Sequence, residues 1–146
     1  MFAAIRIRGK VGVRKDIEDT MQMMLLKNVN NCVVLPENET SKGMLQKVKD
    51  YVTYGEIKPE TYEKMLMKWG RTTSGGRVTL EYLKEKKVTA KELFEGKKKY
   101  KEAGIKQPFR LHPPRKGFKS TKKPFSLKGD LGYRKEKINE LLERMI

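Results

Sequence analysis

The side chains that could perform acid–base, nucleophilic or metal chemistry are few, and they are not grouped as such chemistry requires. His112 is the only histidine, and no partner base or second metal ligand lies near it in the sequence. Cys32 is the only cysteine, so it can neither form an intramolecular disulfide nor build a Cys/His metal site by itself. It sits in an apolar run that favours a buried thiol. We therefore expect no catalytic residue, no metal, no cofactor and no small-molecule substrate.

Two other motifs invite a catalytic or nucleotide-binding interpretation, and each has a simpler one. Asp16, Glu18 and Asp19 stand at the start of a predicted helix, where carboxylates offset the positive end of the helix dipole. The glycines at positions 9 and 12 follow a predicted strand, but they lack the spacing of either phosphate-binding glycine motif. A solvated basic loop is one alternative for this turn. We favour a turn that grips an RNA backbone through four basic residues: Arg8, Lys10, Arg14 and Lys15.

The charge of the chain points to a polyanionic partner. The 146 residues include 34 Lys and Arg against 18 Asp and Glu, a formal net charge of +16. Residues 97–137 carry fifteen basic and three acidic side chains, a net of +12, which leaves only +4 for the rest. Nucleic acid, an anionic membrane surface and an acidic protein are the partner classes that such a charge attracts. The chain therefore divides into a nearly balanced body and a basic arm at residues 97–137.

The centre of this arm, residues 106–128, has the composition of an RNA-binding segment. It contains eight basic residues, no acidic one and four of the six prolines, with three phenylalanines interleaved. Cations neutralise phosphates, and Phe and Arg can stack on unpaired bases. We expect the arm to be extended and to depend on its ligand for order; a tail that serves only solubility is the alternative. With the arginines of the loop at 71–77, the predicted RNA contacts are Arg71, Arg77, Arg110, His112, Arg115, Lys116, Lys119, Lys122, Lys123 and Lys128.

Hydrophobic periodicity predicts a small α+β core in residues 1–58. Strands are predicted at residues 2–8, 32–35 and 53–57, with Ile5 and Ile7 alternating with arginines in the first. A first helix follows Arg14, and its apolar stripe includes Met21, Met23 and Met24 as core residues. A second helix is predicted through residues 44–52, capped at Thr40 or Ser41. The order β-α-β-α-β predicts a sheet with both helices packed on one face.

The remaining residues, 59–146, are predicted to form a mostly helical extension with the basic arm inside it. A third helix begins at Pro59 and ends at Gly70. Thr89 and Glu92 have capping-box spacing in the second of two short helices between residues 79 and 95. Those two helices leave a second function open, a DNA-binding regulator with a helix-turn-helix. A final helix with one continuous apolar face is expected to pack on the body and so anchor the C-terminal end of the arm.

Three stretches of this chain resemble one protein family. Residues 43–57 (GMLQKVKDYVTYGEI) are similar to the second helix and third strand of ribosomal protein thirty of the large subunit. Residues 109–115 (FRLHPPR) and 132–141 (GYRKEKINEL) resemble the extension of its archaeal form, whose eukaryotic counterpart is large-subunit protein seven. The resemblance covers nearly the whole chain.

The resemblance implies a ferredoxin-like core of three strands with two helices on one face. It implies a structural constituent of the large ribosomal subunit that binds and bridges large-subunit rRNA, contacts the 5S rRNA and touches neighbouring ribosomal proteins. The chain opens without a segment typical of a signal peptide, and no stretch approaches the ~18 apolar residues of a membrane span. We therefore expect a cytoplasmic protein, located in the ribosome and not bound to a membrane.

Overall fold

The structure, a computed structural model, describes residues 1–146. In chain order its elements are β1 (Phe2–Arg6), α1 (Lys15–Met23), β2 (Asn31–Leu35), α2 (Glu39–Lys47), β3 (Val52–Glu56), α3 (Pro59–Trp69), β4 (Arg71–Thr72), α4 (Leu80–Glu85), α5 (Ala90–Phe94), β5 (Ile105–Lys106), β6 (Phe109–Arg110), β7 (Gly132–Tyr133) and α6 (Ile138–Met145). Two short 3₁₀ turns precede β7 and α6.

The predicted β-α-β-α-β core is confirmed. β1 lies at the centre, antiparallel to both β2 and β3, with Phe2 opposite Leu35 on one side and Glu56 on the other. The extension adds a short strand at each edge, so the strand order is β6-β2-β1-β3-β7. β4 and β5 form a separate two-stranded ribbon. The extension is therefore part of the main sheet.

Both faces of the sheet are buried, which the alternation in the first strand did not predict. On one face, Phe2 and Ala4 pack with residues of α1 and α2, as expected. On the other face, Ala3 and Ile5 join a larger core built from α3 to α6 and the arm, with Phe109 fully buried in it. This larger core crosses the predicted boundary at residue 58. All five residues of β1 are buried as a result.

Arg6 is the clearest departure from the predicted alternation, because this charged side chain is fully buried. Its guanidinium donates hydrogen bonds to the carbonyl oxygens of Arg8, Gly9, Leu26 and Lys27 at 2.9–3.1 Å. Burial lowers the pKa of this guanidinium, and four acceptors replace the water that it loses. Arg6 therefore fixes the loop that follows β1 against the turn that precedes β2.

Several predictions from local sequence are confirmed, but the predicted end and the predicted cap of the second helix are wrong. Pro59 occupies the first turn of α3, Gly70 ends that helix, and the capping box between Thr89 and Glu92 is present. The second helix, however, ends at Lys47 and is capped by Asn38, whose side chain accepts from the Ser41 N–H at 2.8 Å. Of its predicted last residues, 48–51 form the turn into β3 and Val52 begins that strand.

The first helix also ends earlier than its apolar stripe suggested. Met23 is its last residue and is 72% exposed, so the prediction that it belongs to the core is wrong. The chain leaves the helix through Leu25, which has a positive φ of 61° and is 42% exposed. Met21 and Met24 are buried as predicted.

The arm is folded on the body, whereas we expected it to depend on its ligand for order. It carries no α-helix, as its prolines require, but it supplies β5, β6 and β7. Ala103, Ile105, Phe109 and Leu111 are buried in the larger core. The few apolar residues between its cations suffice for this packing because the three-stranded core alone would leave one sheet face and two strand edges uncovered. The arm packs on that face and pairs with those edges.

Candidate RNA-binding surface

The predicted RNA contacts come from segments that meet at one end of the sheet, which we name the basic end. It is the end where β1 finishes at Arg6 and where β2 and β3 begin, at Asn31 and Val52. Since Arg6 is the last residue of β1, the loop carrying Arg8 and Lys10 starts here. The opposite end, marked by Phe2, Leu35 and Glu56, is named the far end.

Strand register brings the arm to the same basic end. Arg110, the last residue of β6, lies opposite Asn31, so the chain leaves β6 here and continues to His112 and Arg115. β7 runs parallel to β3 with Gly132 beside Thr53, so the lysine-rich segment before β7 also lies here. Strand register thus brings three segments that carry predicted contact residues to the same end of the sheet.

Part of this region consists of two adjoining clefts around Trp69, the last residue of α3. One cleft, of about 400 Å³, holds most of the cations: its polar and aromatic lining is Lys68, Trp69, Arg71, Arg77, His112, Arg115 and Arg144. The other, of about 430 Å³, is lined by Trp69, Arg71, Lys106 and Arg110 among others. No Asp or Glu side chain lines either cleft. We name the pair the Trp69 clefts.

Three cations of the Trp69 clefts lie opposite one another on paired backbone segments. Arg71 lies opposite Lys106 in the β4–β5 ribbon and forms a second antiparallel bridge with Arg77. Like charges directly opposite in a ribbon are destabilising. None of these three side chains forms an ion pair in the protein. A bound polyanion would relieve this repulsion.

The four predicted contacts in and after the loop that follows β1 differ in how free their side chains are to bind RNA. Arg14 forms a two-pronged ion pair with Asp16, at 2.8 and 3.1 Å, and this hydrogen bonding holds the pKa of the Asp16 carboxyl below its usual range. The Arg8 guanidinium lies over the Tyr51 ring, 5.0 Å from its centroid. Lys10 is exposed at the tip and has no carboxylate partner. Lys15, the first residue of α1, is likewise exposed and makes no ion pair, so Lys10 and Lys15 are the most available cations of this group.

The lysine-rich segment of the arm is shaped by one buried ion pair. Asp130 and Arg134 are each 4% exposed and are joined at 2.7 Å. The same carboxylate accepts hydrogen bonds from the backbone N–H groups of Lys119 and Ser120. The pair thus closes the segment into a loop. Its predicted contact residues are exposed and make no ion pair: Lys119, Lys122, Lys123 and Lys128.

Two of the three arm phenylalanines are unsuitable as stacking platforms. Phe109 is fully buried, so the expectation that it stacks on an unpaired base is wrong. Phe125 lies under the Arg134 guanidinium, 4.8 Å from its ring centroid. Phe118 is half-buried against the larger core. The sequence of the arm has no hydrophobic periodicity, so it could not show which phenylalanines are buried and which are exposed.

Some residues of the surface were not predicted. Lys68, Trp69, Lys106 and Arg144 line the Trp69 clefts, and Trp69 meets His112 edge to face with ring centroids 4.6 Å apart. Trp69 lies on the apolar stripe of α3, so its sequence position indicates a core residue. Its pairing with the arm follows from the tertiary fold alone.

Other classes of site receive no support from the geometry. No group of three or more His, Cys, Asp or Glu side chains is arranged to hold a metal ion. Burial raises the pKa of the Cys32 thiol well above its usual value. None of the helices combines the length and apolarity that crossing a membrane requires.

Comparison with known proteins agrees with this architecture. The family model described as ribosomal protein L30p/L7e matches residues 2–52, which comprise the core up to the start of β3. A protein of Methanosphaera stadtmanae named large ribosomal subunit protein uL30 is 46% identical over 152 aligned positions, covering all of both chains. Proteins of the same name from Methanococcus vannielii and Nanoarchaeum equitans are 49% and 48% identical, each covering at least 99% of both chains.

These relatives match the arm and the final helix as well as the core, since the similarity runs over the full chain. The resemblance drawn from residues 43–57, 109–115 and 132–141 is thereby confirmed. This chain belongs to the ribosomal protein L30p/L7e family.

Proposed function

We propose that this protein is a structural constituent of the large ribosomal subunit in the cytoplasm and that it acts by binding rRNA, not as an enzyme. Its relatives carry the name of a large-subunit protein. The single observation that carries the proposal is the basic end, where cations from residues 8 to 128 gather largely without carboxylate partners. Such a surface binds a polyanion by releasing condensed counterions.

The proposed mechanism is bridging. Three groups of cations at the basic end would grip separate rRNA segments: the loop after β1, the Trp69 clefts and the lysine-rich loop before β7. The predicted contacts are Arg8, Lys10, Arg14, Lys15, Arg71, Arg77, Arg110, His112, Arg115, Lys116, Lys119, Lys122, Lys123 and Lys128. Because each group is attached to the same folded body, binding one RNA segment restricts the position of the others.

The finer assignment of partners rests on the family resemblance. We propose that one bridged segment belongs to the 5S rRNA and that neighbouring ribosomal proteins contact surfaces outside the basic end. The far end suits a protein neighbour better than RNA, since Lys58 pairs with Glu136 and Lys42 with Glu37. The 5S assignment predicts that a purified complex of this protein and 5S rRNA forms in competition with unrelated RNA of equal length.

The alternative of a DNA-binding regulator gains nothing from the short helices at residues 79–95. α4 and α5 have only six and five residues, and α5 packs against α3 with Leu93 fully buried. The Glu92 side chain caps its own helix and pairs with Lys98 at 3.8 Å. This pair of helices is therefore used for internal packing.

The decisive experiment is sedimentation of the endogenous protein through a sucrose gradient after a high-salt wash. We expect the protein to travel with the large subunit. Recovery at the top of the gradient, or with chromosomal DNA, would contradict the proposal.

The assigned cations are tested by the salt dependence of RNA binding. If about 6–10 of them contact phosphates, affinity falls about 10³–10⁵-fold between roughly 50 and 200 mM salt. Replacing Lys122 and Lys123 by Gln should lower the slope of log K against log salt by about 0.7–0.9 for each phosphate that is no longer neutralised. The matched control is Lys42→Gln, which removes a cation paired with Glu37 at the far end. An unchanged slope in the double variant would remove these two lysines from the surface.

A further inference from the structure

Two aromatic rings stand among the unpaired cations of the Trp69 clefts. The rings of Trp69 and His112 are perpendicular, at 88°, with their centroids 4.6 Å apart. Arg71, Arg77 and Arg115 line the same cleft as both rings. Phosphate groups alone would require only the cations, so the rings add a second kind of contact surface.

The imidazole is the exposed member of the pair. His112 is solvent-exposed, whereas Trp69 is partly covered and packs on the larger core. The indole N–H is buried and has no hydrogen-bond acceptor in the protein, so Trp69 offers a ligand no accessible donor. Its edge-to-face contact instead holds the imidazole ring in one orientation. An exposed ring that is held in place can stack on a flat ligand without first losing side-chain freedom.

We propose that His112, positioned by Trp69, is a stacking platform for a single unpaired RNA base whose flanking phosphates contact Arg71, Arg77 and Arg115. This inference rests on the proposed function and specifies the RNA feature that the surface recognises. A base inside a duplex has both faces covered by its neighbours, while a bulged or looped base offers a free face. The cleft therefore selects an unpaired nucleotide.

The test compares two labelled RNA hairpins that differ only in a single-nucleotide bulge. Binding of the full chain is measured by fluorescence anisotropy, and the emission of Trp69, the only tryptophan, provides a second signal. We expect tighter binding of the bulged hairpin and a change in Trp69 emission that the paired hairpin and inorganic polyphosphate do not produce.

Variants separate stacking from charge. Loss of base–aromatic stacking weakens binding by about 5- to 150-fold in other proteins, so His112→Ala should weaken binding of the bulged hairpin by that factor. The paired hairpin should be bound as before. His112→Tyr should restore the preference because it keeps a flat ring. The matched control Lys68→Ala removes a cleft cation and should weaken both hairpins equally. Thermal unfolding of each variant verifies that the fold is intact.

Equal binding of the two hairpins by the unchanged protein would overturn the inference, as would an equal reduction of affinity for both hairpins in His112→Ala. Failure of the inference is distinguishable from failure of the proposed function. In the first case the protein still sediments with the large subunit while His112 shows no preference for an unpaired base. In the second case it does not sediment with the subunit at all.

Discussion

The two ends of the central sheet differ in whether their cations have carboxylate partners. At the far end, two cations have carboxylate partners within the protein, in the pairs of Lys58 with Glu136 and of Lys42 with Glu37. In the Trp69 clefts at the basic end, Arg71, Arg77 and Lys106 are crowded together without an Asp or Glu side chain in the lining. The far end is therefore suited to stability in water, and the basic end to a ligand that supplies the missing negative charge.

The same comparison shows why total charge is a poor guide to the site. Asp16 neutralises Arg14 in the loop after β1, although that loop reads as basic in the sequence. Asp130 is buried with Arg134 in the middle of the lysine-rich arm. Carboxylates at the basic end thus shape the surface by engaging particular cations, and the cations left over define where RNA is expected to bind.

The largest expected effect follows from ending the chain at residue 58. The fragment keeps all three core strands but loses α3, α6 and the arm, which cover one face of the sheet. Ala3, Ile5, Cys32 and Val34 would become exposed, so we expect loss of cooperative unfolding and of most RNA affinity. Circular dichroism during urea unfolding checks the prediction. A fragment that unfolds cooperatively would show that residues 1–58 are an independent domain with 59–146 added to it, the division predicted from the sequence.

The next effect compares the two carboxylates at the basic end. Asp130→Ala leaves Arg134 as a buried charge without its partner, a change that costs about 3–5 kcal/mol of unfolding free energy in other proteins. Asp16→Ala breaks a solvent-exposed pair and should change stability little. Urea unfolding of both variants provides the measurement. Equal effects would mean that the Asp130 pair does not organise the loop at residues 119–131.

Features that depend on residues close together in the sequence could be predicted, whereas features that depend on distant residues could not. Periodicity and caps are local, and they located the three core strands, α3 and the box at Thr89. The burial of Arg6 and of Phe109 depends on elements distant in the sequence, which no local pattern records. Charge density identified the cations of the basic end, but the edge-to-face contact between Trp69 and His112 joins residues 43 positions apart. Such contacts follow from the register of β6 against β2.

A smaller effect should separate stability from binding within the Trp69 clefts. Arg77→Gln removes one of three crowded like charges, so we expect the free energy of unfolding to rise by roughly 0.2–1 kcal/mol. RNA affinity should fall at the same time, and the salt slope should decrease by about 0.7–0.9 if Arg77 neutralises one phosphate. Thermal unfolding and RNA titration at several salt concentrations measure the two quantities. A variant with reduced stability as well as reduced affinity would indicate a packing role for Arg77.

The smallest effect is expected for a cation that already has its partner. Lys42 pairs with Glu37 at 3.9 Å at the far end, and both side chains are exposed. Exposed pairs of this kind contribute about 0–1 kcal/mol, so Lys42→Gln should lower the unfolding free energy slightly or leave it unchanged. Its RNA salt slope should equal that of the unchanged protein, because a cation held by a carboxylate at the far end releases no counterion on binding. Arg77→Gln and Lys42→Gln remove the same formal charge, so a difference in their salt slopes measures the combined effect of location and of the carboxylate partner. If the two slopes fell equally, RNA would be responding to the net charge of +16 and the contrast between the two ends would have no role in binding.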